Sequence, residues 1–353
     1  MTYRRKLLLL SILTGVLALI YAAALLFSPD RLSSRGALHV WLDPGRRDQV
    51  SRIELRVRDG ESLALIRDDR IWYVADPVVS AVNPDSPGYP AKTARVEEFL
   101  RFLSTRSPYP LRGSALSSHG RLGLDEASAA RIVLRGGPGL PLLDLLVGSL
   151  DATGREVYLR ENNSQEVRSG EDNFSGYLTG SRTAWYNLRL LADRNGETQD
   201  PQMVQRVIVT APAAPVESVE SDTAAPELSG PLVFVRSADG WTLEGTPPDS
   251  LDASRVDTYV RGILEAEGDD FLAAPDAGEA GFTDGRISLE MGDGRNYVIR
   301  VGPPVLTGDD SSAGGSRPGR RAVVSGSPYT YVLAEWTVNR IFRERSYFLK
   351  EQP

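Results

Sequence analysis

The chain contains no cysteine and only two histidines, His39 and His119, among its 353 residues. The absence of cysteine excludes disulfide bonds, thiolate metal sites, cysteine nucleophiles and a lipid-modified N-terminal cysteine. The two histidines lie in different segments without metal-site spacing, and the chain has no Gly-x-Ser-x-Gly motif of a hydrolase. The sequence therefore assigns no catalytic residue, no metal ligand and no cofactor.

The chain also carries fewer basic residues than acidic ones. Lysine and arginine total 40 against 47 aspartates and glutamates, which gives a net charge of −7. A nucleic-acid surface needs clustered basic residues, so this balance argues against a nucleic-acid partner. The apolar fraction of 41% is typical of globular proteins, and the length suggests about two domains.

Neighbouring acidic residues are the remaining candidates for catalysis. Glycoside hydrolysis needs two carboxylates across a cleft, one of them with a pKa raised by apolar surroundings. The pairs in this chain lie in polar stretches at predicted turns, which favours solvated loop charges over an active site. They are Asp125–Glu126, Glu171–Asp172, Asp269–Asp270 and Asp309–Asp310.

A hydrophobic run covers residues 7–27 and follows the basic cluster Arg4, Arg5 and Lys6 within the tip at 1–6. As a helix it spans a hydrocarbon core of about 30 Å. The basic cluster predicts that the N-terminus lies in the cytoplasm and the rest outside the inner membrane. The alternative is a cleaved signal peptide with its cleavage site at residues 22–24. Because the run continues to Phe27, a retained transmembrane helix contacting the lipid bilayer is the favoured interpretation.

Two stretches of the chain repeat the same order of elements. Each contains three strand-like segments, the third with a central tryptophan, Trp72 in one copy and Trp241 in the other. A helix-like segment follows in each, with Val96 and Phe99 matching Val256 and Tyr259 in spacing. Apolar residues at these intervals form one stripe on a helix, so the stripes are expected to pack on a sheet. Further strand-like segments then complete each copy.

The repeat predicts an α+β fold with two tandem domains, each an antiparallel, meander-rich sheet with one main packed helix. The predicted divisions are a connector at 28–48, a first domain at 49–192, a hinge at 193–202 and a second domain at 203–350. The second domain contains predicted flexible insertions at 211–230 and 308–319. One large α+β domain with accidental similarity is the alternative.

The two matched tryptophans have two interpretations. Exposed, they would be stacking platforms for sugars; buried, they would be core residues between sheet and helix. Their recurrence at equivalent places favours the core. We therefore treat Trp72, Trp241, Val96, Phe99, Val256 and Tyr259 as structural residues.

The order of these motifs resembles the family that carries domain of unknown function 4340. The resemblance covers most of residues 49–191 and, more loosely, 203–349. It depends on the strand at 50–55, Trp72-Tyr73-Val74, Trp241-Thr242-Leu243, the helix motif at 95–100, Leu122-Gly123-Leu124, a strand ending at Gly148 and the close at 185–191.

Such a resemblance implies a membrane-tethered extracytoplasmic module, often associated with ABC-type transporters of the gliding-motility kind, and it carries over no catalytic residue. We therefore expect a non-enzymatic binding or assembly subunit of a bacterial envelope complex, with an ABC-type transporter subunit as partner. The enzyme alternative is a cell-wall or polysaccharide hydrolase that uses acidic residues.

Overall fold

The structure is a computed structural model that describes residues 17, 38–58, 62–82, 86–178, 181–192, 196, 198–211, 230–272, 282, 285–307 and 317–350. Apart from Leu17, the predicted membrane span at 7–27 lies outside the described residues, as do most of the predicted insertions. Among the residues that are described, no helix combines the length and the apolar character that a membrane crossing requires.

The described residues form mostly antiparallel strands with a few short helices, and the predicted α+β class is confirmed. The first strands are β1 Leu38–His39, β2 Arg52–Arg56, β3 Ser62–Asp68, β4 Ile71–Ala75, β5 Gly88–Pro90, β6 Ser107–Pro108, β7 Leu111–Gly113, β8 Ala130–Arg135, β9 Leu143–Leu150, β10 Glu156–Glu161 and β11 Val167–Glu171. The later strands are β12 Val204–Thr210, β13 Leu232–Ser237, β14 Gly240–Leu243, β15 Asp270–Phe271, β16 Gly285–Met291, β17 Asn296–Thr307, β18 Arg317–Val324 and β19 Thr330–Ala334. The α-helices are α1 Pro77–Val82, α2 Thr93–Ser104, α3 Leu116–His119, α4 Ala253–Leu264 and α5 Glu335–Ile341.

The chain divides into two compact units. Unit 1 comprises Met1–Ala64 and Glu97–Gly180, and unit 2 comprises Leu65–Val96 and Ser181–Pro353. The division falls inside β3 and inside α2, so it differs from the boundaries at 49–192 and 203–350 that the sequence suggested. Those two ranges stay a prediction.

Unit 1 is built on one antiparallel sheet with the strand order β3–β2–β8–β9–β10–β11–β7. Its centre is the β2–β8 pair, in which Ile53 lies opposite Leu134 and Leu55 opposite Ile132. These four side chains are buried, while the residues between them on β2 are only half-buried. The alternation with period two explains the pattern, since successive side chains of a strand point to opposite faces.

The predicted connector contributes structure to unit 1. Leu38 and His39 form β1 and pair with β6 in a small two-stranded sheet. The backbone N–H of Leu42 donates to the carbonyl of Leu103 at 3.0 Å, and Leu42 is buried. The apolar piece of the connector is therefore fixed to the end of α2.

Unit 2 contains the eight-stranded antiparallel sheet β14–β13–β12–β16–β17–β18–β19–β15, and also the order β5–β4–β3 from its first segment. Strand β18 begins inside the predicted insertion at 308–319, because Arg317, Pro318 and Gly319 pair with the end of β17. Backbone pairing at these residues depends on the register with the neighbouring strand. The polar composition of the stretch does not reveal that register.

Helix α4 shows why the sequence forms a helix at this place in unit 2. The Asp252 carboxylate caps its start by accepting from the N–H groups of Ser254 and Arg255 at 3.1 and 3.2 Å. Val256 and Tyr259 on its apolar stripe are buried, and the Tyr259 hydroxyl donates to the Ile341 carbonyl at 2.6 Å. The Tyr259 ring packs edge-on against Phe348.

All six residues that the sequence assigned to the core are buried. Trp72, Val96, Phe99 and Val256 have no exposed surface, whereas Trp241 is 6% and Tyr259 is 4% exposed. The indole N–H of Trp241 donates to the Asp257 carboxylate at 2.8 Å, so its polar atom is satisfied. Two rings buried to this degree have no open face for a sugar.

Candidate functional site

A cavity of about 380 Å³ lies within unit 2 and is the candidate functional site. Its lining comes from strands β4, β5 and β19 and from the chain around Asn187. Tyrosine and serine hydroxyls and an asparagine amide are among its polar groups, and Arg189 supplies a guanidinium. No carboxylate belongs to the described lining.

Strand alternation on β4 brings the first wall into place. Trp72 and Val74 are buried, so Ile71 and Tyr73 project from the opposite face and line the cavity. Tyr73 lies opposite Pro90 of β5, which lines the cavity beside it. Strand β5 approaches β4 closely at Gly88, where a Cβ would lie 2.0 Å from the Val74 carbonyl oxygen.

Asn187 is a largely enclosed polar residue of the lining and is only 9% exposed. Its backbone N–H donates to the Pro90 carbonyl at 2.8 Å, which fixes it beside β5. Its Oδ1 accepts from the Arg189 N–H at 3.3 Å. No described residue accepts from its Nδ2, which has two donor hydrogens, so this amide is the clearest group for contacting a ligand.

Tyr329 forms another wall of the cavity, just after the turn at Gly326. The backbone at Gly326 has φ of 77°, a left-handed conformation that glycine adopts without steric cost. The Tyr329 hydroxyl lies 2.8 Å from Oγ of Ser86 and donates to the Gly88 carbonyl at 3.1 Å. These contacts hold the Tyr329 side chain against β5 and keep the wall in one position.

An aromatic cluster supports this wall. The rings of Tyr89 and Phe271 stack with centroids 4.5 Å apart, and Tyr186 packs edge-on against Phe271 at 5.2 Å. Tyr329 and Tyr331 contact Phe271 at 5.5 and 5.1 Å. Rings at these separations stabilise one another beyond their buried area, so the cavity rests on a rigid base.

The hydroxyls in and below the cavity are uncharged at neutral pH. Burial raises the pKa of Tyr186 to about 12, and burial also raises the pKa values of Tyr89, Tyr329 and Tyr331. The Nε of Arg189 lies 3.2 Å from the Glu267 carboxylate, so its charge has a partner. This lining suits a neutral group with hydrogen-bonding capacity.

The acidic pairs from the sequence do not form a two-carboxylate site within the described residues. Asp269 and Asp270 are consecutive, and their carboxylates accept from different backbone groups, the N–H of Ala334 at 2.7 Å and of Phe271 at 2.8 Å. Asp172 caps a turn by accepting from Ser175, and Asp125 and Glu126 are exposed. Asp309 and Asp310 lie outside the described residues.

The two histidines lie in unit 1 and make structural contacts. His39 packs edge-on against Trp41 with centroids 4.5 Å apart, and burial and the nearby Arg168 lower its pKa. Nε2 of His119 lies 3.3 Å from the Gln165 carbonyl oxygen. In the part of the chain that the structure describes, no three acidic or histidine side chains are grouped closely enough to hold a metal ion.

The sequence did not predict the cavity, because its lining comes from three separate stretches of the chain. These stretches lie around residues 71–93, 187–196 and 326–331. None of these carries a motif with chemical meaning by itself. The signal that was present is the pair of polar residues Asn187 and Arg189 inside the mainly aromatic and aliphatic segment at 185–191, together with the tyrosines at 329 and 331.

The sequence model of the family described as "Domain of unknown function (DUF4340)" matches residues 72–284. The chain belongs to this family. The match spans the sequence from Trp72 to beyond α4, and therefore includes both matched tryptophans, Trp72 and Trp241. No curated protein and no solved structure matches the chain. The family description states no activity, so the properties of the site must come from its geometry.

Proposed function

We propose that this member of the family is a single-pass, membrane-anchored subunit outside the cytoplasm that binds or assembles a bacterial envelope complex, accessory to an ABC-type transporter. The observation that carries the proposal is the tyrosine-walled cavity of unit 2. It offers neutral hydroxyls and an amide donor that has no acceptor among the described residues, but no carboxylate in its described lining, which favours binding over acid–base chemistry.

The location rests on the N-terminal sequence. The run at 7–27 is long enough to span a bilayer, and Arg4, Arg5 and Lys6 precede it. The chain has no cysteine, as suits a protein in an oxidising compartment. Both features support an inner-membrane protein with its bulk in the periplasm or outside the cell.

We further propose that the two sheets arose by duplication. The order β3–β2–β8–β9–β10–β11 has the same succession as β13–β12–β16–β17–β18–β19, and β4 pairs with β3 as β14 pairs with β13. Helices α2 and α4 occur at the same place in each succession, with matched buried residues. Strands β7 and β15 follow these helices and pair with β11 and β19.

The alternative is a hydrolase that uses acidic residues, and one observation favours it. Burial raises the pKa of Asp270, as a general acid requires, and the adjacent Asp269 acts in the same direction. Its carboxylate, however, accepts from the N–H of Phe271, and no carboxylate belongs to the described lining of the cavity in unit 2. Binding therefore remains the better-supported proposal.

A site-specific cross-link tests the binding proposal. A photoreactive benzoylphenylalanine replaces Pro328, an exposed residue of the cavity rim, in the full chain expressed in its native membrane. We expect illumination to join it to an integral subunit of an ABC-type transporter, identified by mass spectrometry. Adding Asn187→Asp should lower the yield, because a negative charge enters a neutral cavity at nearly constant size.

The control carries the same photoreactive residue at Leu140, which lies in unit 1 and is 92% exposed. It should give no transporter adduct. Equal adducts at both positions, or adducts only with soluble proteins, would contradict the proposal. Turnover of peptidoglycan that disappears in Asp270→Asn would instead favour the hydrolase.

A further inference from the structure

Four arginines face one another on two neighbouring strands of unit 1. Arg52 and Arg56 lie on β2, and Arg131 and Arg135 lie on β8. The register places Arg52 opposite Arg135 and Arg56 opposite Arg131. Like charges directly opposite each other destabilise an antiparallel pair, so this arrangement needs a compensating charge. We call these four residues the arginine face.

A depression of about 350 Å³ opens on the arginine face. All four arginines line it, together with Glu54, Val133 and the first residues of β3. Glu54 is the one carboxylate in this described lining. The depression therefore has a strongly positive wall in a chain whose net charge is −7.

Two of the arginines are held by the protein itself. Arg131 makes a bidentate pair with Asp144, with nitrogen–oxygen distances of 2.7 and 2.6 Å. Burial tends to raise the pKa of Asp144, but hydrogen bonds from Arg131 and Asn162 outweigh it and lower the pKa, so the carboxylate is ionised. Arg56 donates to the carbonyls of Glu126 and Ala129, which orient its guanidinium without neutralising it.

Arg52 and Arg135 share a single carboxylate oxygen. The Nε of Arg52 donates to Oε1 of Glu54 at 2.7 Å, and the Nε of Arg135 lies 3.5 Å from the same atom. Among the described residues, no acceptor contacts the terminal amino groups of either side chain, and the side chains are 42% and 39% exposed. Four positive charges face Glu54 and Asp144, and the Glu126 carboxylate also acts electrostatically on Arg131, so an excess of positive charge remains on the face.

The central strands of unit 2 have the complementary arrangement. Arg206 on β12 lies opposite Glu290 on β16, and Thr210 lies opposite Arg286. A nitrogen of Arg206 is 3.8 Å from Glu290, and another is 3.9 Å from Glu244. A central strand pair of this kind therefore folds without opposed arginines, and the fold gives no reason for the excess charge in unit 1.

We propose that the arginine face is a binding site for a phosphate group, carried by a soluble phosphate monoester or by a lipid headgroup. A phosphate monoester carries nearly two negative charges at neutral pH, which suits a face with an excess of positive charge. The free forks of Arg52 and Arg135 suit bidentate hydrogen bonds to its oxygens. A carboxylate offers the two guanidinium groups only one charge and two oxygens.

The test measures thermal unfolding of the full chain in neutral detergent, with glycerol 3-phosphate added at constant ionic strength. A ligand that binds only the native state raises the midpoint in a saturable manner. In Arg135→Glu, which copies the Arg206–Glu290 arrangement, we expect a higher starting midpoint. Its half-saturating concentration should rise about tenfold or more, because charge-assisted hydrogen bonds are lost. Arg52→Gln should weaken binding without adding a carboxylate.

Arg206→Gln is the matched control and should respond as the wild-type chain does. Nanodiscs with phosphatidic acid or phosphatidylcholine separate the sources: stabilisation by phosphatidic acid alone identifies a lipid headgroup, and stabilisation by glycerol 3-phosphate as well identifies the phosphate group. Equal responses in wild-type and Arg135→Glu chains would overturn the proposal. So would a response that sodium chloride reproduces, or none to either phosphate source.

Discussion

At the scale of single residues, the burial of the two matched tryptophans predicts how much stability each one contributes. Trp72 has no exposed surface and Trp241 has 6%, so alanine at either position leaves a large cavity in the core. Trp72→Ala and Trp241→Ala should each lower the free energy of unfolding by about 3–5 kcal/mol. Urea unfolding of the detergent-solubilised full chain, followed by circular dichroism, measures this loss.

Trp336 is the matched control, because it is 61% exposed on α5. Trp336→Ala should change the free energy of unfolding by no more than about 0.5 kcal/mol. An unchanged urea midpoint in both core variants would contradict the burial of these rings. It would favour the interpretation that they are exposed platforms for sugars.

At the scale of elements, two glycines should respond to alanine in opposite directions. A Cβ on Gly148 in β9 would lie 2.3 Å from the Leu122 carbonyl oxygen and 3.0 Å from the Leu124 side chain. Gly148→Ala should therefore destabilise the protein by about 1–3 kcal/mol. Gly262 lies inside α4, with no described atom within 4 Å of a new Cβ. Gly262→Ala should stabilise by about 0.5–1 kcal/mol.

Urea midpoints of the two variants, measured together with the wild-type chain, check this pair of opposite signs. A stabilised Gly148→Ala chain would mean that β9 does not approach the Leu122-Gly123-Leu124 segment as closely as the structure shows. The result also bears on the sequence motif, since that segment and Gly148 both belong to the pattern that resembles the family.

At the scale of the whole molecule, the proposed anchor predicts how the protein behaves in membranes. The chain should remain in the membrane pellet after alkaline extraction, and the mature protein should still contain residues 7–27. Leu17→Arg places a charge near the centre of the run, at a cost of about 2.5–3.5 kcal/mol for insertion, and should increase the released fraction. Full release of the unmodified chain, or an N-terminus near Leu25, would mean that the segment is a cleaved signal peptide.

The sequence by itself determined the α+β class and the buried stripes of α2 and α4. Hydrophobic periodicity reports these features, because a side chain's spacing along a helix or strand fixes which face it occupies. It also determined the family, since the order of motifs from Trp72 onward suffices for the match. These properties depend on local patterns that survive without knowledge of the tertiary contacts.

The tertiary structure decided the rest. Asn187 and Tyr329 line one cavity although 142 positions separate them in the chain, and no periodicity links them. Arg52 and Arg135 face each other only through the β2–β8 register, and a shift of one residue would move every side chain to the other face. Both sites depend on contacts between distant segments, and hydrophobic pattern constrains such contacts without specifying which polar residues meet.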